Sequence, residues 1–211
     1  MVESATLAVD LCVFKADEEL KILLIKRKNE PFKGCYALPG GVVDKNEELE
    51  RAASRELEEE TGITPIFLKK LSTYAKVDRD PRGRVASTSF LSLVKPGVKA
   101  LPDDDAIYAD WFKLKEIPPL AFDHKEIIED AHYMLRIELM FSNIAGFAMP
   151  ETFTLKELGM LYDKIFSSLD YKNFEYWALN SGLLKRPKVG QFCFTDKTYK
   201  RIDSGFFLKD Y

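Results

Sequence analysis

Short apolar runs with β-branched residues open this chain, and longer helical periods follow. Thr6 to Phe14 (TLAVDLCVF) predicts a strand. Ala16-Asp17-Glu18-Glu19 makes a polar turn, and Lys21 to Lys28 (KILLIKRK) predicts a second strand ending in a basic cluster. A loop with Pro31 and a glycine-rich turn at Gly40-Gly41 lead into a helix predicted over Glu47 to Thr61, with Asp44 and Glu47 as a capping pair and Gly62 at its end. Strands are predicted at Leu68 to Val77, Ser87 to Val94 and Ala109 to Phe112, the polar loop Asp78 to Arg84 separating the first two. His124 to Met140 carries Ile127, Ile128, Ala131, Met134, Leu135 and Leu139 at helical spacing. Strands with one helix among them and one after predict a mixed α/β layered domain.

The pattern then changes. Phe141 to Glu151, with Gly146 and Pro150, reads as a linker. Thr154-Leu155-Lys156-Glu157 is a capping box opening a helix that runs to Phe166. Asp170 is placed to cap a further helix, Tyr171 to Asn180, which stops at Ser181-Gly182. Leu183 to Pro187 and Gln191 to Thr195 predict a hairpin around Lys188-Val189-Gly190. Two short helices and a hairpin make a winged helix-turn-helix, so the chain divides into residues 1–145 and 150–211.

The helix over Glu47 to Thr61 carries the candidate chemistry. At about 100° per residue, Leu49, Ala52, Ala53 and Leu57 form its core-facing stripe. Glu48, Glu50, Arg51, Ser54, Glu58 and Thr61 fall on the solvent side. Glu56, Glu59 and Glu60 project with the core stripe, one or two turns further on. Carboxylates at i, i+3 and i+4 repel one another, and turning them inward removes hydration. A divalent cation compensates both costs, and Mg²⁺ or Mn²⁺ prefers such oxygens. The alternative is a solvated acidic face with Arg55 paired to the glutamates.

Composition narrows the classes. Values of 46% hydrophobic and 31% charged are those of a globular protein, and a net charge of −3 exerts no global pull toward nucleic acid or membrane. Charge is uneven, however: residues 150–211 hold 10 Lys/Arg against 8 Asp/Glu, and residues 1–149 hold 21 against 26. Cys12, Cys35 and Cys193 show no disulfide or zinc spacing and read as reduced thiols. The first residues lack a basic, then apolar, leader, and no apolar run reaches the ~18–20 residues of a membrane span. A soluble, cytoplasmic protein with no membrane partner is expected.

Gly41, Glu47, Arg55-Glu56-Leu57, Glu59-Glu60 and Gly62-Ile63 match every defined position of G-x5-E-x7-R-E-U-x-E-E-x-G-U, where U is bulky and aliphatic. This resembles the Nudix box. The resemblance implies a mixed sheet between helices and hydrolysis of a nucleoside diphosphate linked to a further group. It implies that Glu56, Glu59 and Glu60, with the Gly40 carbonyl, ligate Mg²⁺ or Mn²⁺. Arg55 would orient the glutamates and Glu47 would brace the loop. Glu59 is the favoured proton acceptor. Asp78-Arg79-Asp80-Pro81-Arg82-Gly83 and Leu120 to His124 resemble the ADP-ribose pyrophosphatase-like group. Arg27, Arg79 and Arg82 then become phosphate or ribose contacts, unless they are surface arginines. Asp103-Asp104-Asp105 offers a further metal ligand or a solvated acidic turn. His124 and His132 lack a partner pattern and receive no catalytic role.

Residues 150–211 resemble the winged helix of Nudix-related transcriptional regulators, which sense a metabolite and bind DNA as homodimers. The candidate recognition helix supplies only Lys172, Asn173 and Asn180, while the wing supplies Lys185, Arg186 and Lys188. Tyr176 and Trp177 read as core residues. The alternatives are a DNA-binding unit or a structural, dimerising one. The intact box favours hydrolysis over sensing alone.

Overall fold

A computed structural model describes residues 4–64, 66–101 and 108–203. Strand β1 (Thr6–Ala16) is its axis. Its first half pairs antiparallel with β4 (Gly40–Val42) and its second half with β2 (Leu20–Lys26). On its other edge β1 runs parallel to β6 (Val85–Val94) through ten paired residues. Strands β3 (Tyr36–Ala37), β5 (Lys69–Tyr74) and β7 (Ala109–Lys113) complete a seven-stranded mixed sheet.

Strand periodicity sorts β1 onto two faces. Val9, Leu11 and Val13 pack under α1 (Leu49–Thr61) with Ala52, Ala53, Leu57 and Phe90. Cys12 and Phe14 point the other way, under α2 (His124–Phe141), with Ile127, Ala131, Leu135 and Leu139. The sheet is thus sandwiched between helices, as expected. The α2-side core continues without a break into α3 (Leu155–Phe166), α4 (Tyr171–Asn180) and the hairpin β8 (Leu184–Lys188)–β9 (Gln191–Phe194).

Several sequence expectations are corrected. The acidic helix begins at Leu49 rather than Glu47. Asp44 N–H donates to the Glu47 carboxylate and Glu47 N–H to the Asp44 carbonyl, so the capping pair closes a turn ahead of the helix instead of its first turn. Thr61, placed on the solvent side, is buried, and its hydroxyl donates to the Leu57 carbonyl. Gly62 ends the helix as expected, in a left-handed conformation. The supposed linker is not a tether: Ser142, Asn143, Ile144, Ala145, Ala148 and Met149 are buried, with a 3-10 turn over Ile144–Phe147. Trp177 is core, but Tyr176 is exposed. The capping box at Thr154–Glu157 and the Asp170 cap are both present.

Candidate functional site

The glycine-rich turn brings the acidic helix against β1. Gly40 has a φ of 152°, and a side chain there would drive into the Val9 carbonyl. That freedom lets Gly40 pair with Asp10 while its N–H donates to Glu60 Oε2 at 2.8 Å. A side chain on Gly41 would occupy the space of the Glu56 carboxylate.

Arg55 is the hub of the helix. Its Nε and Nη2 fork onto Glu47 at 2.9 and 2.8 Å. Its Nη1 donates to Glu56 at 2.8 Å and to Glu59 at 3.2 Å, and Nη2 also reaches the Val42 carbonyl. The fork lowers the Glu47 carboxyl to about 2 and raises the guanidinium still further above its ordinary value.

Glu60 and Glu56 are in the opposite state. Burial, with the Glu56 charge adding to it, raises Glu60 to about 8, against the Gly40 hydrogen bond and the Arg27 charge. Burial also raises Glu56, against its bonds to Arg55. Glu59 departs from the inward reading: its side chain is 51% exposed, held at the rim by Arg55. Among the described residues no three acidic, His or Cys side chains converge as a ready metal cluster. The donor set nevertheless suits a hard divalent cation, because burial strips hydration from the Glu56 and Glu60 carboxylates and the Glu56 charge adds to the cost at Glu60. Asp103-Asp104-Asp105 lies outside the described residues.

Beside this helix lies an open cleft of about 640 Å³ lined by Asp10, Arg27, Gly40, Arg79, Arg82 and Phe122, among others. The three arginines named from sequence all reach it, in different states. Arg79 is buried: Nε and Nη2 fork onto Asp123 at 2.9 and 2.7 Å, and Nη2 reaches Asp10 at 3.1 Å. It is a scaffold cation, spent on two carboxylates. Arg82 pairs with neighbouring Asp80 and stays open to the cleft. Arg27 donates to the Pro31 carbonyl and stacks 4.7 Å from the Phe122 ring. Burial and the Arg82 charge lower its proton affinity.

Sequence reasoning missed His124 and Asp10. Leu38 N–H donates to His124 Nδ1 at 2.9 Å, so the ring proton sits on Nε2, 3.3 Å from Asp10 Oδ1. Burial alone would raise Asp10, but His124, a Ser87 hydrogen bond and Arg79 outweigh it and hold the carboxyl at about 2. The available signal was Asp10 itself, an acid inside the apolar run of β1. Phe32 and Phe122 were missed as well. They meet edge to face at 4.8 Å, both at positive φ (62° and 54°), where non-glycine residues are strained.

In the C-terminal part, Lys172 and Asn173 are exposed on α4, and Lys185, Arg186 and Lys188 are exposed on β8. Asn173 is tied back to Asp170. Arg186 lies over the Phe192 ring. No described helix is long and apolar enough to cross a membrane.

Residues 5–131 match the NUDIX domain family model. The chain is 51% identical over 115 residues to an ADP-ribose pyrophosphatase of Methanocaldococcus jannaschii, covering 54% of this chain and 67% of that protein. It is 31% identical over 188 residues to the ADPR responsive transcriptional repressor NtrR of Acinetobacter baylyi, covering 86% and 75%. Among solved structures it resembles Shewanella oneidensis NrtR complexed with a 27mer DNA, at TM-score 0.79 and 31% identity over 95% of this chain and 99% of that one.

Proposed function

Because the chain belongs to the Nudix family, we propose that it is a metal-dependent pyrophosphohydrolase acting on ADP-ribose or a similar nucleoside diphosphate with a second group attached. One observation carries this reading: Glu56 and Glu60 are packed against Gly40-Gly41 at the edge of an arginine-lined cleft. Glu56, Glu59 and Glu60, with Gly40, are the residues that would hold Mg²⁺ or Mn²⁺. The chemistry supplied by such a cation is neutralisation of the diphosphate and activation of a water.

The chain's own groups do the rest. Arg27 and Arg82 bind and orient the phosphates. Arg79, through Asp123 and Asp10, fixes the cleft wall from which they reach. Arg55 holds Glu56 and Glu59 in place, and Glu47 holds Arg55. Glu59, exposed at the rim, takes the proton from the attacking water as its oxygen bonds phosphorus and the bridging P–O bond breaks. Turnover of ADP-ribose, NADH and dinucleoside polyphosphates with Mg²⁺ tests this. ADP-ribose should be cleaved by the wild type and spared by Glu60→Gln. No turnover of any of them, with Glu60→Gln indistinguishable from wild type, refutes it.

A second reading is favoured by similarity to a repressor along most of the chain and by the exposed cations of β8. In it, residues 150–211 bind duplex DNA, residues 1–145 sense the nucleotide, and the protein is a cytoplasmic homodimer whose symmetry matches a palindromic site. Binding to the DNA upstream of its own gene, measured across salt, tests it. A weak, sequence-indifferent association removes it.

A further inference from the structure

α4 has one buried side and one exposed side. Phe174, Trp177 and Ala178 pack inward against Tyr162 and its neighbours. On the opposite side, Lys172, Tyr176 and Leu179 form a row at i, i+4 and i+7, with Glu175 beside it. Tyr176 is 73% exposed and Leu179 45%. Helix faces turned to water usually carry charged and polar groups, so an exposed aromatic and aliphatic pair here is out of pattern.

The helix is also short of groups that read base edges by hydrogen bonds. Asn173 Nδ2 donates to Asp170 Oδ2 at 2.8 Å, and Asn180 Nδ2 donates to the Tyr176 carbonyl at 2.6 Å. Each amide is tied back locally through one N–H, which leaves the asparagines fewer free groups for base edges. The cations stand apart, on β8, where Lys185, Arg186 and Lys188 are exposed with no carboxylate among them. That strand is complementary to a polyanion. Tyr176 and Leu179, exposed on a helix that is followed in the chain by such a strand, fit one feature of duplex DNA, the thymine C5-methyl, which lies in the major groove.

Resting on the DNA-binding reading above, we propose that α4 recognises duplex DNA through thymine methyl groups, contacted by Tyr176 and Leu179. Lys185, Arg186 and Lys188 hold the phosphates.

The test uses the full chain and a duplex selected for binding from a random pool. Every thymine of that site is then replaced by deoxyuridine, which deletes only the methyl. Anisotropy titrations should show about a fourfold loss of wild-type affinity for each contacted methyl. The surface variant Tyr176→Ser/Leu179→Ser, checked for an unchanged melting temperature, should lose a similar factor on the thymine duplex and respond little to deoxyuridine. Tyr176→Phe should keep the response. Lys188→Ala should keep it too, while reducing the salt slope by about one. Specific binding indifferent to deoxyuridine overturns the proposal but leaves DNA binding standing. Absence of specific binding to any selected duplex overturns both. A change in self-association in the serine variant, with no deoxyuridine response in the wild type, reassigns the face to a protein contact.

Discussion

Replacing Arg79 with Met tests whether that residue is scaffold or ligand contact. The guanidinium makes three hydrogen bonds, to Asp10 and Asp123, and its side chain is 5% exposed. Arg79→Met leaves both carboxylates beside an apolar stem. Removing one partner of a buried ion pair costs about 3–5 kcal/mol, because the other charge stays uncompensated. Asp10 adds a pH signature. Its carboxyl is held at about 2 against an ordinary 3.8, so its contribution is complete above about pH 4 and is lost as pH falls toward 2. The shift corresponds to about 2 kcal/mol, part of it owed to Arg79 and part to His124. Urea unfolding at pH 7, followed by the fluorescence of Trp111 and Trp177, should show the midpoint falling with little change in slope. Adding Asp123→Asn to Arg79→Met should recover part of the loss. A stability loss below about 1 kcal/mol combined with a large rise in KM would refute the reasoning, returning Arg79 to the ligand.

Other outcomes follow from the same geometry. Arg55→Lys keeps the charge but loses the fork onto Glu47, and turnover should fall about 10–100-fold with folding intact, as loss of an outer ligand-orienting partner does; steady-state kinetics beside a melting curve reads both. Gly40→Ala and Gly41→Ala should separate, because the first meets the Val9 backbone at positive φ and the second meets a side-chain carboxylate, that of Glu56. The first should lose soluble, folded protein; the second should stay folded and lose activity. Glu138 is fully buried at the end of α2, taking bonds from Tyr199 and Arg201. Glu138→Ala should destabilise the chain by about 1–3 kcal/mol through its lost hydrogen bonds, and equilibrium unfolding that is unchanged would show those bonds to be dispensable.

What was legible in the sequence is what is settled locally. The acidic helix, its end at Gly62, the capping box at Thr154–Glu157 and the cap at Asp170 each depend on residues within a turn or two of one another. Partners chosen across the fold were not legible. His124 is held by Leu38 and Asp10, 86 residues away in the first case, and no spacing announces such a pair. The buried junction after α2 failed for a related reason: Gly146 and Pro150 look like linker residues, yet Asn143 is fixed by the backbone of Asp196, Thr198 and Lys200. Arg79 and Arg82 make the point most directly. They share one polar loop and the same neighbours in sequence, yet one side chain is 5% exposed and the other 55%. What separates them is the ten-residue parallel register of β1 with β6, which sets the loop over Asp10. That register aims Arg79 inward at Asp10 and Asp123 and leaves Arg82 facing the cleft. The cleft-facing cation is therefore chosen by strand pairing, and a motif alone does not distinguish the two.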